Sequence, residues 1–338
     1  MYMHHSLGQF TRMRALSGLK TPEGQHVAVS RRPTPTTGRQ TNVHPLQKIT
    51  PPLGFNEQCL SRAGPAPGHR RPVSQPAAAA SAASSGASAP RIATDYGFGF
   101  SAGGLLFPYF LGVAVQLQAM NVLRPETPVA GASAGSIVAV CTKSGLGEQE
   151  LLEAFWDLAQ DCRRSGTRTR LKSVLQRVLE AALPDDIHER CEGRAFLAVT
   201  SLWPQFEPRL VSSFSSREDL INTLLVSSHI PYWFDGSLFT TYRDGLFFDG
   251  GITNFIPTTP TERCHRVCCF ASQQLRSFKN IDLSPDTYEA WPYDMRTMLS
   301  WAFEPAPEET LQLLVEKGKR DARSWAVANV PATELVMV

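Results

Sequence analysis

The sequence predicts an α/β fold with its reactive groups at the ends of strands. Three observations carry this. Residues 129–140 read as a short apolar strand, the turn Gly131-Ala132-Ser133-Ala134-Gly135, and an apolar helix. Gly-x-Ser-x-Gly in that setting is a nucleophile elbow, a strained strand-to-helix turn that holds a serine hydroxyl out at the end of a sheet. Strand-like and helix-like segments then follow one another from residue 94 to residue 270, as in a sheet with helices packed on it. Finally, Asp249-Gly250-Gly251 follows the apolar Leu246-Phe247-Phe248 and puts a carboxylate on a tight turn at another strand end. That acid either serves the serine or caps its own turn.

Composition narrows the function. A chain of 338 residues with 42% hydrophobic residues builds a substantial core, as one large domain or two small ones. The net charge of +2 hides an asymmetry. Residues 1–91 hold eleven Lys and Arg against only Glu23 and Glu57, a balance of +9, which leaves −7 on the remainder. An acidic body has no positive surface for phosphates, so a nucleic-acid partner is not expected. The seven cysteines are odd in number and form no spaced framework, which suits free thiols in a reducing compartment. No Cys-x-x-Cys pairs with a second one, so neither a metal nor a cofactor is expected.

Residues 1–91 lack apolar periodicity and are rich in Ser, Ala, Pro and Arg. Such a segment cannot bury enough apolar surface to offset its ordering entropy and reads as disordered. Its Arg-rich, acid-poor character suits an organelle transit peptide and linker, with a plain disordered tail as the alternative. The Ala/Ser/Pro bias points to a chloroplast; a mitochondrion, or the cytoplasm and lipid droplets, are the other destinations.

The first element of the body is a buried strand over 94–101, where aromatic and small residues alternate. Ala102-Gly103-Gly104 turns into an apolar helix over 107–120. Residues 96–123 carry no charge, so a membrane span has to be weighed. Gly97, Gly99, Gly103, Gly104, Pro108 and Gly112 interrupt the run and no basic flank marks it, which argues for a buried helix. The Gly-Gly turn is either a tight strand-to-helix connection or a pair of open backbone N–H groups suited to an oxyanion. The helix after Ser133 runs to about Lys143, at the negative end of its dipole, and stops at Ser144-Gly145.

Leu151, Leu152, Phe155, Leu158 and Cys162, then Leu171, Val174, Leu175, Val178 and Leu179, predict two amphipathic helices. Arg163, Arg164, Arg168, Arg170 and Lys172 between and within them make a basic cluster, a solvated loop or a face for anionic headgroups. Strands follow at 195–200 and 209–214. Ser215 and Glu218 read as a capping box opening a helix that His229-Ile230-Pro231 ends. A hairpin-like stretch over 237–248 leads to Asp249. His265 stands at the start of an expected strand over 267–270. Tyr288, Trp291, Tyr293, Met295, Met298, Trp301 and Phe303 form an aromatic and methionine-rich region, either core or lipid-facing, and residues 304–329 show a helical pattern.

Gly103-Gly104, Gly131-Ala132-Ser133-Ala134-Gly135 and Asp249-Gly250-Gly251, in this order and with His229-Ile230-Pro231 between them, resemble the patatin-like phospholipase family. The span is about residues 94–260, and the elbow sequence is closer to the neutral-lipid acyl hydrolase and plant and algal patatin-like branch. The resemblance implies a three-layer α/β/α sandwich over residues 92–275, with residues 276–338 as a helical extension packed on it. It also implies a Ser–Asp dyad. Ser133 would be the nucleophile and Asp249 its base, with the oxyanion held by Gly103 and Gly104. Gly131 and Gly135 would form the elbow, and Gly250 and Gly251 the turn behind the acid. Many members carry Arg or Lys two residues after the glycines, where this chain has Leu106. That departure shifts the expected substrate from phospholipid toward neutral glycerolipid.

The residues themselves also favour a dyad. His188, His229 and His265 are the body's only histidines, and a Ser–Asp–His triad would need His265 at a strand start, whereas α/β sites gather at strand carboxyl ends. The expected function is a serine lipid acyl hydrolase. It would cleave triacylglycerol, galactolipid or phospholipid esters through an acyl-enzyme, at a membrane or lipid-droplet surface and without a transmembrane helix. A transacylase with the same dyad and a non-catalytic lipid-binding scaffold are the alternatives.

Overall fold

The computed structural model describes residues 95–336, apart from Arg276, Ser277 and Lys279. The expected transit segment and linker lie outside the described residues. Strand β1 (Tyr96–Phe100) leads through the Gly103-Gly104 turn into α1 (Phe107–Ala119), and β2 (Val129–Ala132) leads through Ser133 into α2 (Ala134–Ser144). Helices α3 (Glu148–Ser165), α4 (Leu171–Ala182) and α5 (Ile187–Cys191) precede β3 (Ala195–Trp203) and β4 (Glu207–Val211). Then come α6 (Arg217–Ser227), the hairpin β5 (Thr240–Tyr242) and β6 (Gly245–Asp249), β7 (Arg263–Val267), α7 (Met295–Phe303) and α8 (Glu308–Asn329).

These strands form one mixed sheet. Strands β7, β1, β2 and β3 are parallel neighbours, while β4 and β6 both pair antiparallel with β3. The register along β3 positions the site. Leu197 and Ala198 pair with both β2 and β4; Val199, Thr200 and Ser201 pair with both β4 and β6. A strand has two edges, so β2 and β6 share one edge of β3, end to end. Strand β2 arrives parallel and stops at Ala132, opposite Ala198, while β6 arrives from the other direction and stops at Asp249, opposite Val199. The residue after Ala132 therefore meets Asp249.

Side-chain alternation along the strands assigns the layers. Phe98 packs on Trp325 of α8, Phe100 on Phe110 of α1, and Val199 clusters with Val226 of α6. Those helices and α2 cover one side of the sheet. On the other side, Cβ atoms at Gly97 and Gly99 would overlap Thr259 and the Pro257 carbonyl. That side is covered by the 3-10 turn Gly250–Ile252 and the extended segment to Thr261. The sheet has helices on both sides, as in the α/β/α sandwich, with one thick layer and one thin one.

Helix α1 is uncharged because it is enclosed. Nine of its thirteen residues are buried, and α8 lies so close along it that a Cβ on Gly112 would overlap the Val315 carbonyl. Among the described residues no helix is long and apolar enough to cross a membrane.

Two expectations need correction and two are refined. The cap of α6 is Ser216, whose hydroxyl accepts the Asp219 N–H, and Ser215 instead bonds the Asp219 carboxylate; the cap lies one residue on. Strand β7 ends at Val267, so His265 stands in mid-strand, its ring against Trp325 and its Nδ1 3.5 Å from Asp282. The C-terminal helical pattern forms α8, which begins at Glu308, four residues after the expected start, with α7 separate before it. Lys143 does more than face a dipole: it is buried and donates to the Thr127 carbonyl at 2.5 Å, with burial lowering its pKa to about 8.

The aromatic region is half core and half surface, with Tyr288 exposed. Trp291, Tyr293 and Trp301 pack edge to face, and Met298 is fully buried beneath them, its sulfur accepting the Trp291 N–H at 2.9 Å.

Candidate active site

Ser133 is held in a backbone conformation that side chains avoid, φ +52° and ψ −120°. The strain is fixed from several sides. Its N–H donates to Ser227 Oγ at 3.0 Å, and Ser227 in turn donates to the Ala198 carbonyl at 2.6 Å. Its carbonyl accepts from the Ser136 N–H at 2.9 Å and the Ser136 hydroxyl at 2.6 Å. Behind it the turn is so tight that a Cβ on Gly131 would enter the Gly135 carbonyl. The Gly-Ala-Ser-Ala-Gly composition is the sequence's answer to that crowding.

The ends of β2 and β6 place Ser133 beside the Asp249 carboxylate, close enough for the serine to favour its ionised form. Asp249 is 4% exposed. Its Oδ1 accepts the Gly251 N–H at 2.7 Å, its own N–H goes to the His229 carbonyl at 2.9 Å, and its carbonyl accepts from the Thr200 hydroxyl at 2.7 Å. Burial pushes its pKa up to about 7, against the opposing pull of the Gly251 amide and the Ser133 hydroxyl. A carboxyl that titrates there is ionised often enough, and is basic enough, to take a proton from a hydroxyl at neutral pH.

Gly104 sits in the left-handed region, φ +54°, with no room for a side chain against the Ala302 carbonyl. Among the described residues, the Gly103 and Gly104 N–H groups enter no hydrogen bond. Leu106, two residues after the glycines, is fully buried and supplies no charge.

Gly104 and Ser133 open on a cavity of about 90 Å³ between α2, α3 and α4. Its lining includes Ile137, Leu151, Phe155, Leu175 and Leu179, and is almost entirely apolar. One water needs roughly 10–15 Å³, so this is a chamber, and its apolar lining disfavours water. Two buried polar atoms in the wall, Ser228 Oγ and Trp233 Nε1, have no partner inside the protein.

The structure therefore brings together Ser133, Asp249 and the Gly103-Gly104 turn, and gathers Gly131, Gly135, Gly250 and Gly251 behind them. No imidazole joins them. His229 is buried and its Nε2 lies 3.4 Å from Ser237 Oγ, while His265 is taken by Asp282 and Trp325. Part of the basic cluster is engaged within the protein: Arg170 pairs with Asp161 at 2.8 Å, Lys172 with Asp235 at 2.9 Å, and Arg163 donates to the Ala306 carbonyl, while Arg164 is largely exposed. Sequence reasoning missed Ser227, Thr200 and Ala302. A serine pair before His229-Ile230-Pro231 was the only signal for the first.

The family model for patatin-like phospholipases matches residues 100–261, which contain every one of these groups except Ala302. Patatin-like phospholipase domain-containing protein 4 of Homo sapiens is 33% identical over 194 residues, 55% of this chain and 73% of that protein. The chain belongs to the patatin-like phospholipase family. The mouse 1-acylglycerol-3-phosphate O-acyltransferase Pnpla3 is 27% identical over 165 residues, 47% of this chain and 40% of that protein. Human omega-hydroxyceramide transacylase is 26% identical over 218 residues, 62% of this chain and 39% of that protein. The chain thus spans nearly three quarters of the first relative and about two fifths of the other two. The family's chemistry is lipid acyl hydrolysis and acyl transfer.

Proposed function

We propose that the chain is a serine acyl hydrolase of glycerolipid esters. The observation that carries this is the strained Ser133 on the wall of an apolar chamber, with the buried Asp249 brought beside it at the end of the facing strand. In this reading the acyl chain occupies the chamber and its ester carbonyl lies beside Ser133. Asp249 takes the hydroxyl proton as Ser133 Oγ attacks the carbonyl carbon. The negative oxygen is met by the Gly103 and Gly104 amides, each worth about 3 kcal/mol of barrier in comparable sites. Collapse releases the alcohol, which takes the proton back from Asp249, and leaves an acyl-Ser133. Water then repeats the sequence and frees the fatty acid. With Leu106 buried and no cation beside the turn, a neutral glycerolipid fits the site better than a charged headgroup does. Transacylation is the second reading. It is favoured by the apolar lining of the chamber, which gives an alcohol an advantage over water, and by the acyl-transferring relatives.

The test is fatty-acid release from triacylglycerol, galactolipid and phospholipid vesicles. Ser133→Ala and Asp249→Asn should each lower release at least ~10³-fold, the scale seen when members of a catalytic pair are removed. Full activity in either variant would sink the dyad. Acyl groups appearing on an added alcohol in place of free acid would establish the transacylase. Folded protein that binds vesicles and releases nothing would establish the scaffold.

A further inference from the structure

Helix α7 lies beyond the span matched by the family model, yet it reaches the chamber. Ala302 lines the wall together with Ser133, Gly104 and Ala134, and its carbonyl abuts Gly104. Ile137, Leu151, Phe155, Leu175 and Leu179 of the lining are large, whereas Gly104, Ala134 and Ala302 are small. In the acyl hydrolase reading, an acyl chain on Ser133 enters the chamber past these small residues, which make its neck.

The wall is held on both sides of this point. Upstream, α7 is anchored by buried Met298 and by Trp291, Tyr293 and Trp301 packed edge to face. Downstream, Phe303 packs edge to face on Trp233 at 5.0 Å, Glu304 accepts the Thr167 hydroxyl at 2.6 Å, and the Ala306 carbonyl accepts from Arg163. A larger side chain at 302 therefore takes up space in the neck more readily than it displaces the helix.

We propose that Ala302 is a specificity-determining residue, holding the neck open so that long acyl chains can reach the chamber. This rests on the acyl hydrolase reading above. It assigns a part of the site to a segment that the family match does not include.

The test uses Ala302→Gly, Ala302→Val and Ala302→Phe in the full chain, with ethyl and hexadecyl fluorophosphonates as probes. Labelling of Ser133 is followed by mass spectrometry, and the readout is the ratio of the hexadecyl to the ethyl rate. The ratio is expected to fall at least about tenfold in Ala302→Phe, by an intermediate factor in Ala302→Val, and to hold or rise in Ala302→Gly. The graded series and the ethyl rate separate a blocked neck from a chain that has failed to fold. An unchanged ratio across the series would overturn the proposal. So would an equal loss for both probes, which would mean that residue 302 acts only through Gly104. Wild type that labels with neither probe, or labels equally after Ser133→Ala, would instead defeat the acyl hydrolase reading itself.

Discussion

Burial at Asp249 links chemistry to stability. Its carboxyl titrates near 7 in the folded chain, above the ordinary carboxylate value near 4. Between those values the folded state keeps a proton that the unfolded state has lost. The contribution of this group therefore favours folding at low pH and is lost as pH rises from about 4 to about 7. The full penalty is of order 4 kcal/mol above that range. Asp249→Asn removes the titration while keeping an acceptor for the Gly251 N–H. The variant should be inactive and yet gain stability over wild type as pH is raised from 5 to 8, measured by urea unfolding at each pH. A parallel decline in both proteins would show that the fall originates elsewhere. In the wild type, kcat/KM should rise with pH as a single ionisation near 7. At this scale the sequence was informative wherever a local backbone demand left its mark: the small residues around Ser133, and the glycines behind Asp249. Ser227 left almost none, since its role depends on where α6 ends relative to β2, a distance that no local pattern encodes.

Among elements, the seam between α1 and α8 holds the fold's most buried charges. Lys317 and Asp321 are 2% and 1% exposed and lie 2.5 Å apart, and the Tyr109 hydroxyl of α1 donates to Asp321 at 3.0 Å. Burial raises the pKa of Asp321, while Lys317 and Tyr109 hold it down. Removing one partner strands the other in a low-dielectric seam, so Lys317→Met should cost about 3–5 kcal/mol. The pair Lys317→Met with Asp321→Leu should recover most of that loss, because an apolar replacement needs no partner. Chemical denaturation of the single and double variants decides it; equal losses in both would mean that the network matters only through its packing. The sequence signalled α1 as apolar and α8 as amphipathic without revealing that each explains the other. An uncharged run of that length is what a helix needs when a second helix closes over it. Strand β7 was misplaced for a related reason. Val267-Cys268-Cys269-Phe270 is more apolar than Arg263-Cys264-His265-Arg266, but pairing with β1 selects the earlier residues. Propensity yields to register there.

For the molecule as a whole, the order of layers and the position of the site were readable because strand–turn–helix units repeat with clear turn residues. The thin second layer was not, since residues 252–261 carry no periodicity and are held by contacts distant in sequence, among them the Gly97 and Gly99 surface they cover and the Thr200 hydroxyl. The meeting of β2 and β6 on one edge of β3 has a consequence for the chain's life before it is finished. Ser133 and Asp249 stand 116 residues apart in sequence and touch only through a third strand that both must join. Pairings of such separation form late, because the intervening loop entropy is lost before the contact repays it. A growing or refolding chain will therefore display its serine long before it acquires a base. During refolding from urea, fluorophosphonate labelling of Ser133 should lag behind the recovery of helical circular dichroism; simultaneous recovery would refute the order. On the proposed acyl hydrolase reading, a chain assembled in this way leaves the lipids around it untouched until its sheet is complete.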